Sequence, residues 1–345
     1  IIKFIFLKKN TYLIYIKKMI QSKYYNYSRI QFVDLYKENA PSASPSTVST
    51  FDTALKRLEK IYGNTIENMK LHFIDDPDKL ITKFNNTEYS KNTLYSTINM
   101  INKLIIMIDA PLSLKNQWSN SVKKLTTERD NHQLDNTKNK NESDNWIDYD
   151  ELLEKVNEKY DSVISNLDTI KKNNFRNFMI LCLYIYMPPA RIGNYLNCKV
   201  IRGDTNHDLP TTHNYIIIKN LDSTNPLFYF IFNKYKTSKH LGTQLFKVSD
   251  DKLINLLDIY FTLFNTSNDF FLNTKMTELS QPNVTNILKA ESKALVDKSL
   301  SVDLLRHIYI TYFLKQNPTL RDKLDLAGCM GQGFQCNQQD IYNRI

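Results

Sequence analysis

The sequence predicts a mainly α-helical protein with a small antiparallel β-sheet, arranged as a helical domain followed by an α+β domain. Three observations support this fold class. Apolar residues recur at three- and four-residue steps through most of the chain, which indicates amphipathic helices. Three strand candidates cluster within residues 215–248, the first two rich in Ile, Phe and Tyr and the third preceded by a turn at Gly242, which indicates one small sheet. A polar stretch at 126–145 separates the two halves.

Residues 1–40 are assigned to an N-terminal extension. The first twenty residues are apolar but interrupted by lysines, so no run reaches the length of a membrane span. They also lack the continuous apolar core and the small-residue cleavage site of a signal peptide. The sequence does not begin with Met, and we expect the stretch before Met19 to be an upstream reading frame or a poorly ordered extension.

Residues 41–125 form the predicted helical domain. Ser44 and Pro45 are a typical helix start, and Gly63 stands where a helix would end. Apolar periodicity predicts helices over residues 48–61, 76–84, 92–108 and 113–127. The next stretch, 126–145, contains almost no apolar residues and is interpreted as a solvated linker; a long exposed helix that continues from the first domain is the alternative.

Residues 146–345 form the predicted second domain. Its helices are expected at 149–167, 173–187, 251–264, 281–295, 302–316 and 319–327, and its strands at 215–219, 227–234 and 243–248. The helix at 173–187 is apolar nearly all round, so we expect it to be buried. Pro188 and Pro189 end it.

Composition narrows the classes of function. The net charge of +9 favours an anionic partner, nucleic acid before an acidic membrane surface; a basic protein without a charged partner is the simpler alternative. The four cysteines form no CxxC pair, which indicates a reducing, intracellular setting. The six histidines show no metal-ligand spacing, and the seven glycines form no phosphate-binding loop, so no metal or cofactor is expected.

Two basic positions stand out in the first half of the second domain. Arg191 lies just past the double proline, and Lys236 lies in a basic run after the second predicted strand. Taken alone, such an arginine is usually a surface or capping residue, and a basic hairpin is usually a solvated turn or a nonspecific phosphate contact. Lys234 and Lys239 compete with Lys236 for any specific role.

Three further positions follow in the second half. Arg306 and His307 lie on a predicted helix among apolar residues, close to buried surface, where an arginine is rarely found without a partner. A glycine-bounded turn comes next, at residues 328–331, and Tyr342 follows. The chain has 21 tyrosines, so only its order and spacing single Tyr342 out.

This order of residues resembles the catalytic domain of the tyrosine recombinases, the phage-integrase-like family. The Pro-Pro-x-Arg form resembles the versions found in large DNA viruses and eukaryotic mobile elements. The resemblance implies a helical core-binding domain at 41–125 and a catalytic domain at 146–345. It implies a catalytic set of Arg191, Lys236, Arg306, His307 and Tyr342. His307 matches the second histidine of the motif, which is usually a structural support; compensation for the missing first histidine is the alternative.

The sequence departs from the family pattern at three positions. Asp303 stands where the first histidine is expected, three residues before Arg306 and so on the same helix face. Gln332 stands where a histidine or tryptophan follows Leu-Gly, and Asn194 stands where a glutamate is frequent. Asp303 and Gln332 put full catalytic competence in question.

The resemblance implies cleavage and rejoining of double-stranded DNA through a 3′-phosphotyrosyl intermediate, without metal or ATP, by a DNA-bound oligomer such as a tetramer. We expect an intracellular protein located with DNA, in a nucleus or a viral factory, and no membrane partner. Three alternatives stay open: a monomeric type IB topoisomerase, a catalytically decayed DNA-binding protein of the same fold, and a helical interaction protein unrelated to DNA.

Overall fold

The computed structural model describes residues 24–134, 137–196, 198–203, 209–221, 223–265, 267–272, 277–331 and 343–344. The chain divides into two compact units, residues 1–133 and residues 134–345. Among the described residues, no helix is both long and apolar enough to cross a lipid bilayer.

The first unit is helical in its described part. Its α-helices are α1 (Arg29–Asn39), α2 (Pro45–Tyr62), α3 (Ile66–Met69), α4 (Pro77–Asn85), α5 (Lys91–Met107) and α6 (Leu112–Leu134), and a 3₁₀ turn spans His72–Ile74. The helices predicted at 48–61, 76–84 and 92–108 are confirmed to within a few residues. Local signals fix these bounds: the Ser44 hydroxyl accepts the Thr47 amide at the start of α2, and Gly63 ends it at φ +64°.

The core of the first unit includes α1, which lies within the predicted extension 1–40. Phe32 and Tyr36 of α1 are buried, and the Tyr36 ring stacks on Phe51 at 4.5 Å. Trp118 of α6 is fully buried, and its indole N–H donates to the Ile74 carbonyl at 2.8 Å. The sequence analysis assigned residues 1–40 to an extension outside the helical domain. In the structure α1 is part of that domain, because its two aromatic side chains pack in the core.

The polar stretch at 126–145 is helical at both of its ends. Helix α6 continues to residue 134, as the alternative interpretation had it, and α7 (Lys140–Asn145) begins the described part of the second unit. Asn139 and Glu142 start α7 with reciprocal side-chain to backbone hydrogen bonds. Glu142 is buried in spite of its polar neighbours.

The second unit combines helices with one sheet. Its elements in chain order are α8 (Tyr149–Ser165), α9 (Lys172–Ile185), α10 (Ile192–Tyr195), β1 (Cys198–Arg202), β2 (Asn214–Lys219), β3 (Leu227–Phe232), α11 (Ser238–Leu241), β4 (Gln244–Lys247), α12 (Asp251–Ile259), a π-helical turn (Tyr260–Phe264), α13 (Gln281–Val296), α14 (Val302–Lys315) and α15 (Leu320–Cys329). Helix α9 is buried nearly all round, as its composition predicts.

The sheet has the strand order β1-β2-β3-β4. Strands β2, β3 and β4 pair antiparallel, but β1 pairs parallel to β2, so the predicted antiparallel sheet is in fact mixed. The sequence analysis missed β1, in which only Cys198 and Val200 are buried.

Candidate active site

Arg191 lies at the N-terminus of the short helix α10, directly after the turn that ends buried helix α9. Its side chain is half-buried, and its Nη1 donates a hydrogen bond to the carbonyl of Gly331. The two residues are 140 positions apart in the chain. The arginine motif is thus held against the turn that follows α15.

Arg306 is completely buried on α14. Its Nη1 donates to the carbonyl of Pro189 at 2.6 Å and to the carbonyl of Met330 at 3.2 Å. Pro189 precedes Arg191 by two residues, so Arg306 joins the segment of the first arginine to the same turn. A guanidinium keeps its charge when buried, whereas a lysine would readily lose its proton.

Two phenols lie close to Arg306. Burial raises the pKa of Tyr184 well above 10, and burial likewise raises the pKa of Tyr195, although the nearby Arg306 charge opposes both shifts. Both side chains therefore remain neutral at physiological pH. Neither can neutralise the Arg306 cation, and neither is exposed enough to attack a macromolecule.

The loop after β3 brings the predicted lysine to the same place. Thr237 donates its hydroxyl hydrogen to the Gly331 carbonyl at 2.8 Å, and the Tyr235 hydroxyl donates to the Gly242 carbonyl at 2.7 Å. Lys236 lies between these two residues, and its side chain is exposed. Lys234 and Lys239 are exposed as well, so burial does not distinguish among the three lysines.

Gly331 is the point at which these segments meet. Its carbonyl accepts hydrogen bonds from Arg191 and Thr237, and its φ of +59° belongs to the left-handed region that favours glycine. A Cβ at this position would lie 3.3 Å from Cδ2 of Tyr235 and 3.6 Å from Nδ2 of Asn194. The Met330–Gly331 turn therefore connects both arginines to the loop that carries Lys236.

Asn214 connects two of these segments as well, the one that follows Arg191 and the one that precedes Lys236. Its Nδ2 donates to the carbonyls of Asn194 and Lys234, at 2.8 and 2.9 Å. Its Oδ1 accepts the backbone amides of Asn233 and Lys234, at 2.8 and 2.7 Å. Asn194, which replaces the expected glutamate, contributes its main-chain carbonyl here.

His307 occupies a different cluster. Its Nε2 lies 3.6 Å from Oε1 of Glu142 and 3.3 Å from Nη2 of Arg344. Arg344 also pairs with Glu142 at 3.2 Å, and its amide donates to the Thr311 hydroxyl at 2.9 Å. Burial alone would raise the pKa of Glu142, but the Asn139 amide and the Arg344 and His307 side chains outweigh it and lower that pKa.

The other predicted site residues are not among those that meet at the Met330–Gly331 turn in the described part of the chain. Asp303 is exposed in the first turn of α14. Gln332 and Tyr342 lie outside the residues that the structure describes. In the described ranges, no group of three His, Cys, Asp or Glu side chains could hold a metal ion.

Sequence reasoning missed Thr237, Asn214, Glu142 and the carbonyl of Gly331. Thr237 directly follows Lys236, and Glu142 follows Asn139 at the spacing of a capping box, so weak signals existed for both. The role of the Gly331 carbonyl could not be predicted, because every residue has a main-chain carbonyl. Asn214 reads as an ordinary polar residue before a strand.

Comparison with known proteins gives a match in structure alone. No family model matches the sequence, and neither does any curated protein. The fold matches a Tn1549 transposon integrase, solved in complex with transposon right-end DNA, with a TM-score of 0.58 and 10% identity over 92% of this chain and 95% of that one. The chain has a tyrosine-recombinase-like fold. A match to the crystal structure of XerA recombinase covers 91% of this chain and 94% of that one, at 11% identity and a TM-score of 0.37, and adds nothing to this assignment.

The tyrosine-recombinase-like fold accounts for the observed division of the chain, with a helical unit before an α+β unit. At 10% identity the match concerns fold and not activity.

Proposed function

We propose that this chain is a site-specific DNA recombinase or integrase that cleaves and rejoins double-stranded DNA through a 3′-phosphotyrosyl intermediate. The observation that carries the proposal is the convergence of Arg191, Arg306 and the Lys236 loop on the Met330–Gly331 turn. These groups come from three distant parts of the chain. The turn directly precedes the segment that contains Tyr342.

In the proposed reaction the Tyr342 oxygen attacks the scissile phosphorus while its phenolic proton passes to water. The P–O5′ bond breaks, its electron pair leaves with O5′, and Lys236 donates a proton to that oxygen. Arg191 binds the non-bridging oxygens and stabilises the charge of the transition state, contributing on the order of 3 kcal/mol. Arg306 adds its positive charge to the site without direct contact, because it is fully buried and its Nη1 is bonded to the carbonyls of Pro189 and Met330. Rejoining reverses these steps, so neither metal nor ATP is needed.

DNA is the proposed substrate because the chain carries a net charge of +9 and shares its fold with an integrase solved on DNA. Lysine and arginine on both units would contact the phosphates, so the affinity should fall steeply as salt rises. We extend the proposal to the first unit as a core-binding domain, which adds α1 to the predicted residues 41–125, to the second unit as a catalytic domain, which adds α7 to the predicted residues 146–345, and to a homo-oligomer on DNA. Its location in the cell would be wherever that DNA is.

The deciding experiment uses duplexes with randomised sequence, nicked so that the cleaved strand cannot be rejoined. Incubated in EDTA, the wild-type protein should form a covalent adduct that survives denaturation. Tyr342→Phe should form none, because it lacks the attacking oxygen, whereas Tyr229→Phe, a change on β3 outside the lysine loop, should retain the adduct. An adduct that persists in Tyr342→Phe would contradict the assignment of the nucleophile.

A catalytically decayed DNA-binding protein is the second candidate, and the replacement of two family positions by Asp303 and Gln332 favours it. This candidate predicts salt-sensitive DNA binding without any adduct. A type IB topoisomerase, in contrast, would form the adduct and relax supercoiled plasmid as a monomer. Relaxation assayed across protein concentrations separates this activity from recombination by an oligomer.

A further inference from the structure

Asn214 is a buried amide that uses its full hydrogen-bonding capacity. The residue is 3% exposed, and its side chain donates both Nδ2 hydrogens and accepts two backbone amides at Oδ1. Each of the four bonds is between 2.7 and 2.9 Å long. Both N–H donors and both lone pairs of the amide are therefore satisfied within the protein.

The four bonds lie where the regular pairing of β2 with β3 ends. The last paired residues at this edge are Tyr215 and Ile231, and β3 itself ends at Phe232. Beyond that point the Asn214 side chain acts as a substitute for the missing strand partner of Asn233 and Lys234. It fixes the path of the chain at the start of the loop that carries Lys236.

The fourth hydrogen bond of Asn214 joins this loop to the segment that follows Arg191. Its Nδ2 donates to the carbonyl of Asn194, which lies on the short helix that begins just after Arg191. The carbonyl of Asn194 also accepts from the thiol of Cys198, at 3.3 Å. Asn214 therefore ties the lysine loop directly to the arginine turn, through contacts independent of the Met330–Gly331 turn.

We infer that Asn214 is a positioning residue for strand cleavage, which holds Lys236 in register with Arg191 so that the lysine can protonate the departing O5′. The inference rests on the proposed function. A lysine that donates a proton must lie within hydrogen-bonding reach of the leaving oxygen, and its side chain is long and exposed. Fixing the backbone on the N-terminal side of Lys236 limits where its Nζ can go.

The test compares two leaving groups in single-turnover cleavage. With an ordinary phosphodiester, the leaving 5′-alkoxide needs a proton; with a 5′-bridging sulfur, the leaving thiolate does not, because thiols have a pKa near 8.5. We expect Asn214→Ala to cleave the oxygen substrate roughly 10²-fold more slowly than wild type, the typical value of a general acid. On the sulfur substrate it should cleave within a few-fold of wild type.

Asn265 provides the matched control. It is 1% exposed in the same unit, its Nδ2 donates to the carbonyls of Asp269 and Phe270 at 2.9 and 3.1 Å, and its Oδ1 accepts the Ser267 amide at 2.9 Å. Asn265→Ala removes a comparable buried amide that touches neither motif. Its cleavage rates should match those of wild type on both substrates, whatever stability it loses.

Asn214→Asp serves as a second variant if the alanine variant fails to fold. It keeps the two bonds accepted from Asn233 and Lys234 but places a carboxylate against the carbonyls of Asn194 and Lys234, so it should show the same sulfur rescue. Equal slowing on both substrates would overturn the positioning role. A wild-type protein that forms no adduct on either substrate would overturn the proposed function, and the inference with it.

Discussion

At the scale of the residue, Gly331 joins two segments of the site, because its carbonyl accepts hydrogen bonds from Arg191 and Thr237. We expect Gly331→Ala to slow adduct formation roughly 10-fold, because the Tyr235 ring must shift by a few tenths of an ångström and a misplacement of about 1 Å costs about 10²-fold. An alanine at φ +59° is strained by about 1–2 kcal/mol, and its Cβ would push the Tyr235 ring and the adjacent Lys236 away. Single-turnover cleavage of the nicked duplex measures the effect.

Gly203 supplies the control for backbone strain. Its φ is +94°, and a Cβ there would meet nothing within 4 Å, so Gly203→Ala introduces strain without a new neighbour. This variant should lose stability but keep its cleavage rate. Equal loss of activity in both variants would show that strain, and not contact with Tyr235, causes the defect.

At the scale of the element, Glu142 joins α7 to α14 and to the segment at 343–344. Glu142→Gln keeps the size of the side chain but leaves the largely buried side chains of Arg344 and His307 without an anion. We expect the second unit to lose on the order of 3 kcal/mol in its free energy of unfolding at pH 7. Urea denaturation measures the loss. The exposed Glu158, which pairs with Lys155, provides a control whose replacement by Gln should have little effect.

The ion pair between Glu142 and Arg344 also predicts that the stability of the second unit depends on pH. Because the folded protein holds the pKa of Glu142 below its ordinary value of 4.5, the stability that its charge contributes is present above pH 4.5 and is lost as the pH falls below that value. The difference in unfolding free energy between wild type and Glu142→Gln should therefore shrink in acid. A difference that stays constant from pH 7 to well below pH 4.5 would contradict this account.

At the scale of the whole molecule, the two units have separate hydrophobic cores, and each contains one of the two tryptophans. Trp118 is buried in the first unit, and Trp146 packs at the edge of the second core. We expect Trp146→Phe and Trp118→Phe variants to report two unfolding transitions at different urea concentrations. Tryptophan emission measures both. Coincident midpoints in the two variants would show that the units unfold together.

The sequence predicted whole elements better than it predicted the assembled site. The helix expected at 92–108 is present as α5, because apolar periodicity is a local property that later packing preserves. Strand β1 was missed because five residues with two basic side chains give little alternation. The order Arg191, Lys236, Arg306 was visible in the sequence. The carbonyls that accept hydrogen bonds from Arg191, Thr237 and Arg306 lie up to 140 positions away, which no local pattern can indicate.

The long sequence separations at the Met330–Gly331 turn have a consequence for biosynthesis. The bonds that join it to Thr237 and Arg191 span 94 and 140 positions, and the bond from Arg306 to Pro189 spans 117. Contacts of such high sequence separation form late, since loop-closure entropy must be overcome first. A ribosome-bound chain therefore carries both arginines, and a folded first unit, before it can assemble the site. Under the proposed function, the nascent chain cannot cleave DNA until the turn and, beyond it, Tyr342 have emerged.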